Sequence, residues 1–198
     1  MNILDLGCGT AKEPGSIGVD RIPLNSVDVV ANLDEYPYPF ADNTFDRVYL
    51  NDVIEHLPNT MATMEEIYRI TRPNSRVYIR VVNWNSHYTA MDPTHVKAFT
   101  ENSFDFFGKR KGRNYYTTAR FDVVKVDYQY NDRAIKYFRN NQRIMKFLSF
   151  YLNNILEGLN FELRTIKKST DSKVSKVNSK NLHQFLRCPF CISNSRFK

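Results

Sequence analysis

Two glycines and one carboxylate near the start of the chain have the types and the spacing of a small-ligand site. An apolar run ends in Leu4-Asp5-Leu6-Gly7-Cys8-Gly9, where glycines let the backbone turn sharply and lie against a bound molecule. A second apolar run ends at Asp20, eleven residues after Gly9. A carboxylate at the tip of a neighbouring strand can accept hydrogen bonds from both hydroxyls of a ribose. The pattern therefore predicts a nucleoside that lies across the carboxyl ends of the strands.

The residues that follow disfavour a ligand with phosphates. The dinucleotide pattern needs a third glycine where this chain has Lys12, and the helix that would face a pyrophosphate is confined to residues 10–16, which include Pro14. A nucleoside without phosphates fits better, and nicotinamide-dependent oxidoreduction is the least favoured enzymatic alternative.

Short β-type runs alternate with loops and helices in the order expected of an open α/β sheet. The predicted strands are Met1–Leu6, Ile17–Asp20, Val27–Ala31, Phe45–Asn51, Arg76–Asn83, Phe121–Tyr130 and Asn160–Ile166, and the predicted helices are Met61–Ile70, Glu101–Phe107 and Ile135–Leu156. We expect Asn59 or Thr60 to cap the first helix and Pro73 to end it. The third helix has a broad apolar face, which predicts packing on the sheet in preference to a lid or a membrane-surface role.

Composition limits the classes of function. The chain has 198 residues, of which 42% are hydrophobic and 14% aromatic, so it can bury a core and is not a disordered chain. No apolar run approaches the roughly 18 residues that a membrane span needs. Three cysteines are too few for a disulfide framework, and the first residues lack the pattern of a secretory signal. We therefore expect a cytoplasmic protein.

The net charge of +7 is located in one segment. Residues 164–198 contain nine Lys or Arg and one Asp, so the rest of the chain is nearly neutral. We predict a folded domain over residues 1–168 and a basic, mobile tail over 169–198. Binding of nucleic acid through the tail is not the favoured interpretation. His183, Cys188 and Cys191 are one ligand short of a structural zinc site, so no metal site is predicted.

Several further segments match one known family in the correct order. They are Leu33–Asp46, which leads into the fourth strand, Asn51–Leu57 at the end of that strand and after it, Glu66–Pro73 in the first helix, and Asp92–Thr100. Together with the glycine-rich run and Asp20, they resemble the small type 11 group of class I S-adenosylmethionine-dependent methyltransferases. The resemblance covers residues 1–107. It implies a Rossmann-like sheet, mostly parallel with its last strand antiparallel, with helices on both faces and a shortened first crossover helix.

The resemblance also implies S-adenosylmethionine as the cofactor, with Asp20 as the ribose acid. Gly7 and Gly9 would let the backbone approach the cofactor, and Asp5 would orient that loop or bind the amino end through water. Asn32, which stands where the family has an acid, and the backbone of Leu33 would face the adenine.

The same resemblance places Asn51 and Asp52 near the methyl-transfer centre, at the carboxyl tip of the fourth strand. For Asp52, a helix cap or a loop carboxylate is an equally weighted interpretation. His95 is the candidate general base because it lies in the loop after the fifth strand, and a loop histidine bonded to the backbone is its alternative. We expect His56 to orient the loop after the fourth strand.

Two sequence motifs that are typical of particular methyl acceptors are missing from the chain. Methylation of base amino groups uses an Asn or Asp-Pro-Pro-aromatic motif where this chain has Asn51-Asp52-Val53-Ile54, and cytosine C5 methylation needs a cysteine in the site. An oxygen or nitrogen acceptor on a small molecule or on a carrier-linked sugar or lipid is therefore expected. The alternatives are a non-catalytic cofactor-binding or scaffold protein and an RNA-directed enzyme that uses the basic tail.

Overall fold

The computed structural model describes residues 1–108 and 116–167, which form one seven-stranded sheet with short helices. The strands are β1 (Ile3–Leu6), β2 (Ile17–Asp20), β3 (Val29–Val30), β4 (Phe45–Asn51), β5 (Thr71–Val82), β6 (Phe121–Tyr130) and β7 (Leu156–Thr165). They lie in the order β3-β2-β1-β4-β5-β7-β6. Neighbours among β1–β5 are parallel, whereas β7 is antiparallel to both β5 and β6. The predicted mostly parallel sheet with an antiparallel last strand is confirmed.

The strand order brings the loops after β1, β2 and β4 to one edge of the sheet. Leu6 of β1 pairs with Val19 of β2 on one side and with Leu50 of β4 on the other, so the three strands end at nearly the same level. In open α/β sheets, ligands bind outside the carboxyl ends of the strands. This edge is therefore where a ligand site is expected.

The described helices are few and short. They are α1 (Thr60–Ile70), α2 (His87–Met91), α3 (Asp132–Tyr137) and α4 (Gln142–Ser149), with a 3₁₀ turn at Ser103–Phe107. As predicted, Asn59 caps α1, because its side chain accepts a hydrogen bond from the backbone N–H of Ala62 over 3.1 Å. Pro73 does not end this helix. The helix ends at Ile70, and Pro73 lies inside β5, next to an irregularity in the pairing with β4.

The resemblance implied a shortened helix between β1 and β2. Within the described residues, this connection contains no helix at all. The chain turns instead on backbone hydrogen bonds. The N–H groups of Gly7 and Cys8 both donate to the carbonyl of Val19, over 2.8 and 3.0 Å. The loop after β1 is therefore held against the end of β2.

The two faces of the sheet differ in burial. Val48, Leu50, Val77 and Ile79 are buried in one cluster with Met64 and other α1 side chains. The alternating positions carry polar or aromatic side chains that remain partly exposed: Arg47, Tyr49, Arg76, Tyr78, Arg80, Asn160 and Glu162. On this second face, the ion pair of Arg76 with Glu162 joins two neighbouring strands, and the rings of Tyr49 and Tyr78 stack.

The predicted single helix over Ile135–Leu156 is wrong. Arg139 and Asn140 both adopt positive φ angles, of 50° and 56°, which end α3 and separate it from α4. Leu156 already belongs to β7. The expected packing of the apolar face holds for Met145, which is fully buried, whereas Leu152 is 49% exposed.

Some predictions fall outside the described residues. The proposed boundary after residue 168, the basic tail, His183, Cys188 and Cys191 all belong to this part. In the described ranges, no helix combines the length and the apolar character that a membrane crossing requires.

Candidate active site

A cavity of about 390 Å³ lies at the carboxyl edge of β1, β2 and β4. Its volume is in the range of small-molecule and cofactor sites. It is lined by Gly7, Asp20, Arg21, Ile22, Ala31, Asn32, Leu33, Asp34, Asp52, Val53, His56, Leu57 and Thr94. Five of the nine residues predicted from the sequence are among them.

Gly7 is required at its position for two independent reasons. Its φ of +70° is a left-handed conformation that side chains disfavour, and a Cβ atom there would lie 2.4 Å from Cγ2 of Val53. Gly9 also has a positive φ, of 48°, but a Cβ atom added to it would meet no other atom within 4 Å. Gly9 does not line the cavity, so its contribution is the turn itself.

Asp20 lies at the end of β2 and lines the cavity. One carboxylate oxygen accepts a hydrogen bond from the backbone N–H of Gly9 over 3.0 Å, and the other accepts one from that of Ile22 over 3.0 Å. Each oxygen keeps a further lone pair, because a carboxylate oxygen has two acceptor sites. The backbone thus holds the carboxylate in place and leaves acceptor capacity toward the cavity.

Asn32 and Leu33 line the wall of the cavity beyond Asp20. The amide of Asn32 already has local partners: its oxygen accepts from the N–H of Asp34 and its nitrogen donates to Glu35. Leu33 is buried, and its carbonyl accepts a hydrogen bond from the Tyr38 hydroxyl over 3.0 Å. This wall is therefore a fixed turn with one apolar side chain.

Asp5 and Asn51 do not line the cavity, although both were predicted to bind the cofactor. Both contact Glu13 instead. The buried carboxylate of Asp5 accepts from the N–H of Glu13 over 2.8 Å, and the amide of Asn51 donates to the Glu13 side chain over 3.3 Å. Burial raises the pKa of Asp5 above its usual range, despite that hydrogen bond. Asp5 and Asn51 therefore hold the loop after β1 through Glu13 and do not face the cavity.

Asp52 follows β4 directly and does line the cavity. Its φ of +56° turns the chain sharply out of the strand. Its carboxylate accepts hydrogen bonds from the guanidinium of Arg80, with the Nε–Oδ2 distance at 2.9 Å. Both side chains are nearly half-exposed, so the pair contributes little to stability. The carboxylate is a charged group at the cavity wall.

His56 and His95 differ from the prediction in which of them faces the cavity. His56 lines the cavity, whereas His95, the predicted base, does not. The side chain of His95 is only 9% exposed, and its Nδ1 lies 3.2 Å from the carbonyl oxygen of Thr89. The two rings pack together with their centroids 4.7 Å apart. His95 therefore stands behind His56 as seen from the cavity.

Glu55 is a residue that sequence reasoning did not single out, although it lies in the segment Asn51–Leu57. Its side chain is fully buried, and neither carboxylate oxygen has a hydrogen-bond partner among the described residues. Burial raises the pKa of its carboxyl. Its backbone carbonyl accepts hydrogen bonds from Val96 and Lys97, over 2.9 and 3.1 Å. This carbonyl joins the loop after β4 to the loop that contains His95.

Three other lining residues, Val53, Leu57 and Thr94, were also missed as site residues. Each lies inside a segment that carried the family resemblance, and that is the signal that could have identified them. Val53 and Leu57 are buried and provide the apolar part of the wall next to Asp52.

Comparisons with known proteins show similarity to methyltransferases in sequence and in fold. A family model described as a methyltransferase domain matches residues 13–79. An uncharacterised protein of Methanocaldococcus jannaschii is 28% identical over 197 residues, covering 93% of this chain and 75% of that protein. Cycloartenol-C-24-methyltransferase 1 of Oryza sativa is 37% identical over 122 residues, covering 49% of this chain. The match spans 35% of the length of the rice protein.

The fold is shared with solved structures. A SAM-dependent methyltransferase from Archaeoglobus fulgidus superposes with a TM-score of 0.53 at 20% identity, over 82% of this chain and 85% of that one. At this identity the likeness concerns the fold alone, and the family model adds the sequence-level match. The chain is therefore similar in sequence to methyltransferase domains over residues 13–79, and it shares its fold with a SAM-dependent methyltransferase.

Proposed function

We propose that the chain binds S-adenosylmethionine in the cavity at the carboxyl edge and transfers its methyl group to an oxygen or nitrogen acceptor. The observation that carries the proposal is the carboxylate of Asp20. It is held by two backbone N–H groups at the wall of a cavity that Gly7 also lines. An acceptor-only group beside a close-approaching backbone is suited to the two hydroxyls of a ribose.

The lining residues support one orientation of the cofactor. The adenine lies along the Ala31–Asp34 wall with Leu33 as its apolar contact, and the ribose lies at Asp20. The methionine end then points to the side where Asp52, Val53 and His56 line the cavity. A sulfonium is a cation, and carboxylates near it lower its free energy in the site. The side chain of Asp52 is placed to make that contribution.

The reaction needs mainly placement of the acceptor in line with the carbon–sulfur bond. The lone pair of the acceptor forms the new bond to the methyl carbon, while the electron pair of the broken bond passes to sulfur. S-adenosylhomocysteine leaves, and the acceptor loses one proton to a base or to water. His56 is the nearest candidate for that base, because it lines the cavity and His95 stands behind it.

The acceptor belongs to a small molecule or to a carrier-linked sugar or lipid. The rice relative is named for cycloartenol, but the match covers about a third of that protein, so this acceptor is not transferred to the chain. The absence of a described helix between β1 and β2 favours the alternative that the chain binds the cofactor without catalysis. Both the methyltransferase and the non-catalytic alternative require cofactor binding, but only the methyltransferase transfers the methyl group.

Calorimetry and a transfer assay test both parts. We expect S-adenosylmethionine and S-adenosylhomocysteine to bind with one-to-one stoichiometry, and S-adenosylhomocysteine to raise the melting temperature by mass action. A labelled methyl group should then pass from the cofactor to a component of cell extract. Binding without transfer would favour the non-catalytic alternative, and failure to bind either ligand would refute the proposal.

A further inference from the structure

We propose that Glu55, His56 and His95 bind a divalent transition-metal ion at the edge of the cavity. The sequence analysis considered only the tail residues as metal ligands and predicted no metal site. Glu55 and His56 are adjacent in the loop after β4, whereas His95 lies on another loop, so the three do not form a compact motif. The fold joins those loops, since the carbonyl of Glu55 accepts hydrogen bonds from Val96 and Lys97. The ligand set is therefore a product of the tertiary structure.

The distances are close to those of a metal site. One ligand atom from each of Glu55, His56 and His95 can be chosen so that all lie within 4.8 Å of one another. Two ligands of a tetrahedral zinc ion lie roughly 3.4 Å apart, because each bond is roughly 2.1 Å long. The ligand atoms thus need to approach one another by about 1.4 Å at most, a movement within the reach of small side-chain rotations.

Outer hydrogen bonds orient His95 as a ligand. The carbonyl oxygen of Thr89 can only accept, so the Nδ1–H of His95 donates to it, over 3.2 Å. In the neutral ring, Nε2 then carries the free lone pair. A histidine that binds a metal through one nitrogen and donates from the other to a backbone carbonyl is the usual arrangement in metal sites.

His56 is oriented in the same way by a chain of two hydrogen bonds. The hydroxyl of Thr94 donates to Asp92 over 2.6 Å, so it accepts from Nδ1 of His56 over 2.9 Å. This leaves Nε2 of His56 as the ligand atom. The two histidines therefore have the tautomer that metal binding requires, fixed by groups that are not ligands.

Glu55 provides an independent observation. A fully buried carboxylate without any hydrogen-bond partner is costly, and such a group in a folded protein calls for an ion or a water molecule as its partner. A metal ion at the histidines supplies the missing partner. No Lys or Arg side chain forms an ion pair with Glu55 in the described part of the chain.

Two histidines and one glutamate are the protein ligands of several catalytic zinc sites, which leave at least one position open. Because His56 also lines the cavity, an open position faces the methyl end of the proposed cofactor site. A metal ion there lowers the pKa of a bound hydroxyl group and so favours an oxygen acceptor. The acceptor then loses its proton to water, because His56 cannot serve as the base while its Nε2 binds the metal. This role of the metal rests on the proposed function, whereas binding of the metal does not.

The test is a titration of the metal-free 198-residue chain with Co²⁺, followed by visible absorption. The Cys188→Ser/Cys191→Ser variant serves as the background, since thiols outside the site also bind such ions. We expect one equivalent to produce bands of a cobalt ion with nitrogen and oxygen ligands, and Zn²⁺ to displace it. Glu55→Gln and His95→Asn should each weaken binding at least about tenfold.

Controls separate metal binding from folding. His87→Gln removes an exposed histidine that bonds to Asn154, and it should leave the titration unchanged. Thr94→Val keeps all three ligands but removes the hydroxyl beside His56, and a weaker, measurable affinity in a variant with a normal circular dichroism spectrum supports the site. Absence of cobalt bands in the background protein, or bands that persist in both ligand variants, would overturn the proposal.

Calorimetry with S-adenosylmethionine in EDTA keeps this result separate from the proposed function. Cofactor binding without any metal binding refutes the metal site alone, and metal binding without cofactor binding refutes the methyltransferase proposal alone. Where both occur, the metal-dependent product should carry its methyl group on oxygen, and a product methylated on nitrogen overturns the assignment of the acceptor.

Discussion

The carboxylate of Asp20 and the backbone N–H of Gly9 are joined by a 3.0 Å hydrogen bond, which connects the end of β2 to the glycine loop after β1. The residue proposed to bind ribose therefore also fixes the loop that we propose to contact the cofactor. A substitution of Asp20 acts on both ligand binding and the conformation of this loop.

Asp20→Asn should weaken the binding of S-adenosylhomocysteine by roughly 10- to 100-fold, because hydrogen bonds to a charged acceptor are worth about 1.5–3 kcal/mol. Asparagine keeps one oxygen for the N–H of Gly9, so the fold should persist. Calorimetry gives the affinity and circular dichroism the fold. Asp127→Asn, a change in an exposed ion pair on β6, is the matched control. An unchanged dissociation constant in Asp20→Asn would remove the basis for the ribose assignment.

Gly7→Ala should destabilise the protein more than Gly9→Ala. Both glycines have positive φ angles, which cost about 1–2 kcal/mol for alanine, but only at Gly7 would the new Cβ overlap Val53. We expect a total of roughly 2–4 kcal/mol at Gly7. Urea unfolding measures both variants. In a Val53→Ala background the cost of Gly7→Ala should decrease, and equal costs in the two backgrounds would contradict the overlap.

Asp52→Asn should reduce the affinity for S-adenosylmethionine by several-fold and that for S-adenosylhomocysteine by much less. The substitution removes a negative charge and leaves Arg80 without its partner, which raises the free energy of a nearby sulfonium but not of a neutral thioether. Stability should change by less than about 1 kcal/mol because the ion pair is exposed. Competitive binding of the two ligands to both proteins provides the ratio. Equal losses for the two ligands would place Asp52 away from the sulfur.

Glu66→Gln should remove a part of the stability that depends on pH. Burial tends to raise the pKa of Glu66, but hydrogen bonds from Arg69 and from the N–H of Tyr38 outweigh it and lower the pKa. A lowered folded-state pKa means that the contribution is complete above the unfolded value of about 4.3 and is lost as the pH falls through the folded value. We expect about 1–2 kcal/mol at pH 7.

The measurement for Glu66 is urea unfolding of both proteins between pH 7 and pH 3. The difference between wild type and Glu66→Gln should shrink toward zero at the acid end. Glu65→Gln changes an exposed glutamate one residue earlier on α1 and should give a small difference at every pH. A difference for Glu66→Gln that stays constant with pH would show that the lost interaction is not a charged one.

The sequence identified the elements whose signals are local. β2, β4 and β6 have the predicted bounds because their apolar residues alternate or run continuously between turn residues. The break between α3 and α4 was missed because Arg139 and Asn140 take left-handed angles that a helical spacing of apolar residues does not exclude. The early start of β5 was missed because Pro73 normally ends a regular element, and here an irregular pairing with β4 accommodates it.

The residues of the site also differ in how far the sequence could predict their positions. Gly7 and Asp20 were found because each directly follows or ends a strand, and strand ends meet at one edge. Asp5 and Asn51 also lie on such strands, but their side chains contact Glu13, which no spacing rule reveals. Glu55 and the order of His56 before His95 depend on how two loops pack together, and loops have no periodicity from which burial can be predicted.

The carbonyl of Glu55, which accepts hydrogen bonds from two successive residues of the opposite loop, has a consequence for turnover. Because these bonds join the two loops, displacement of one loop alone would break them. Arg21 and Ile22 also line the cavity and are exposed to solvent. On the proposed function, we therefore expect S-adenosylhomocysteine to leave past these two residues.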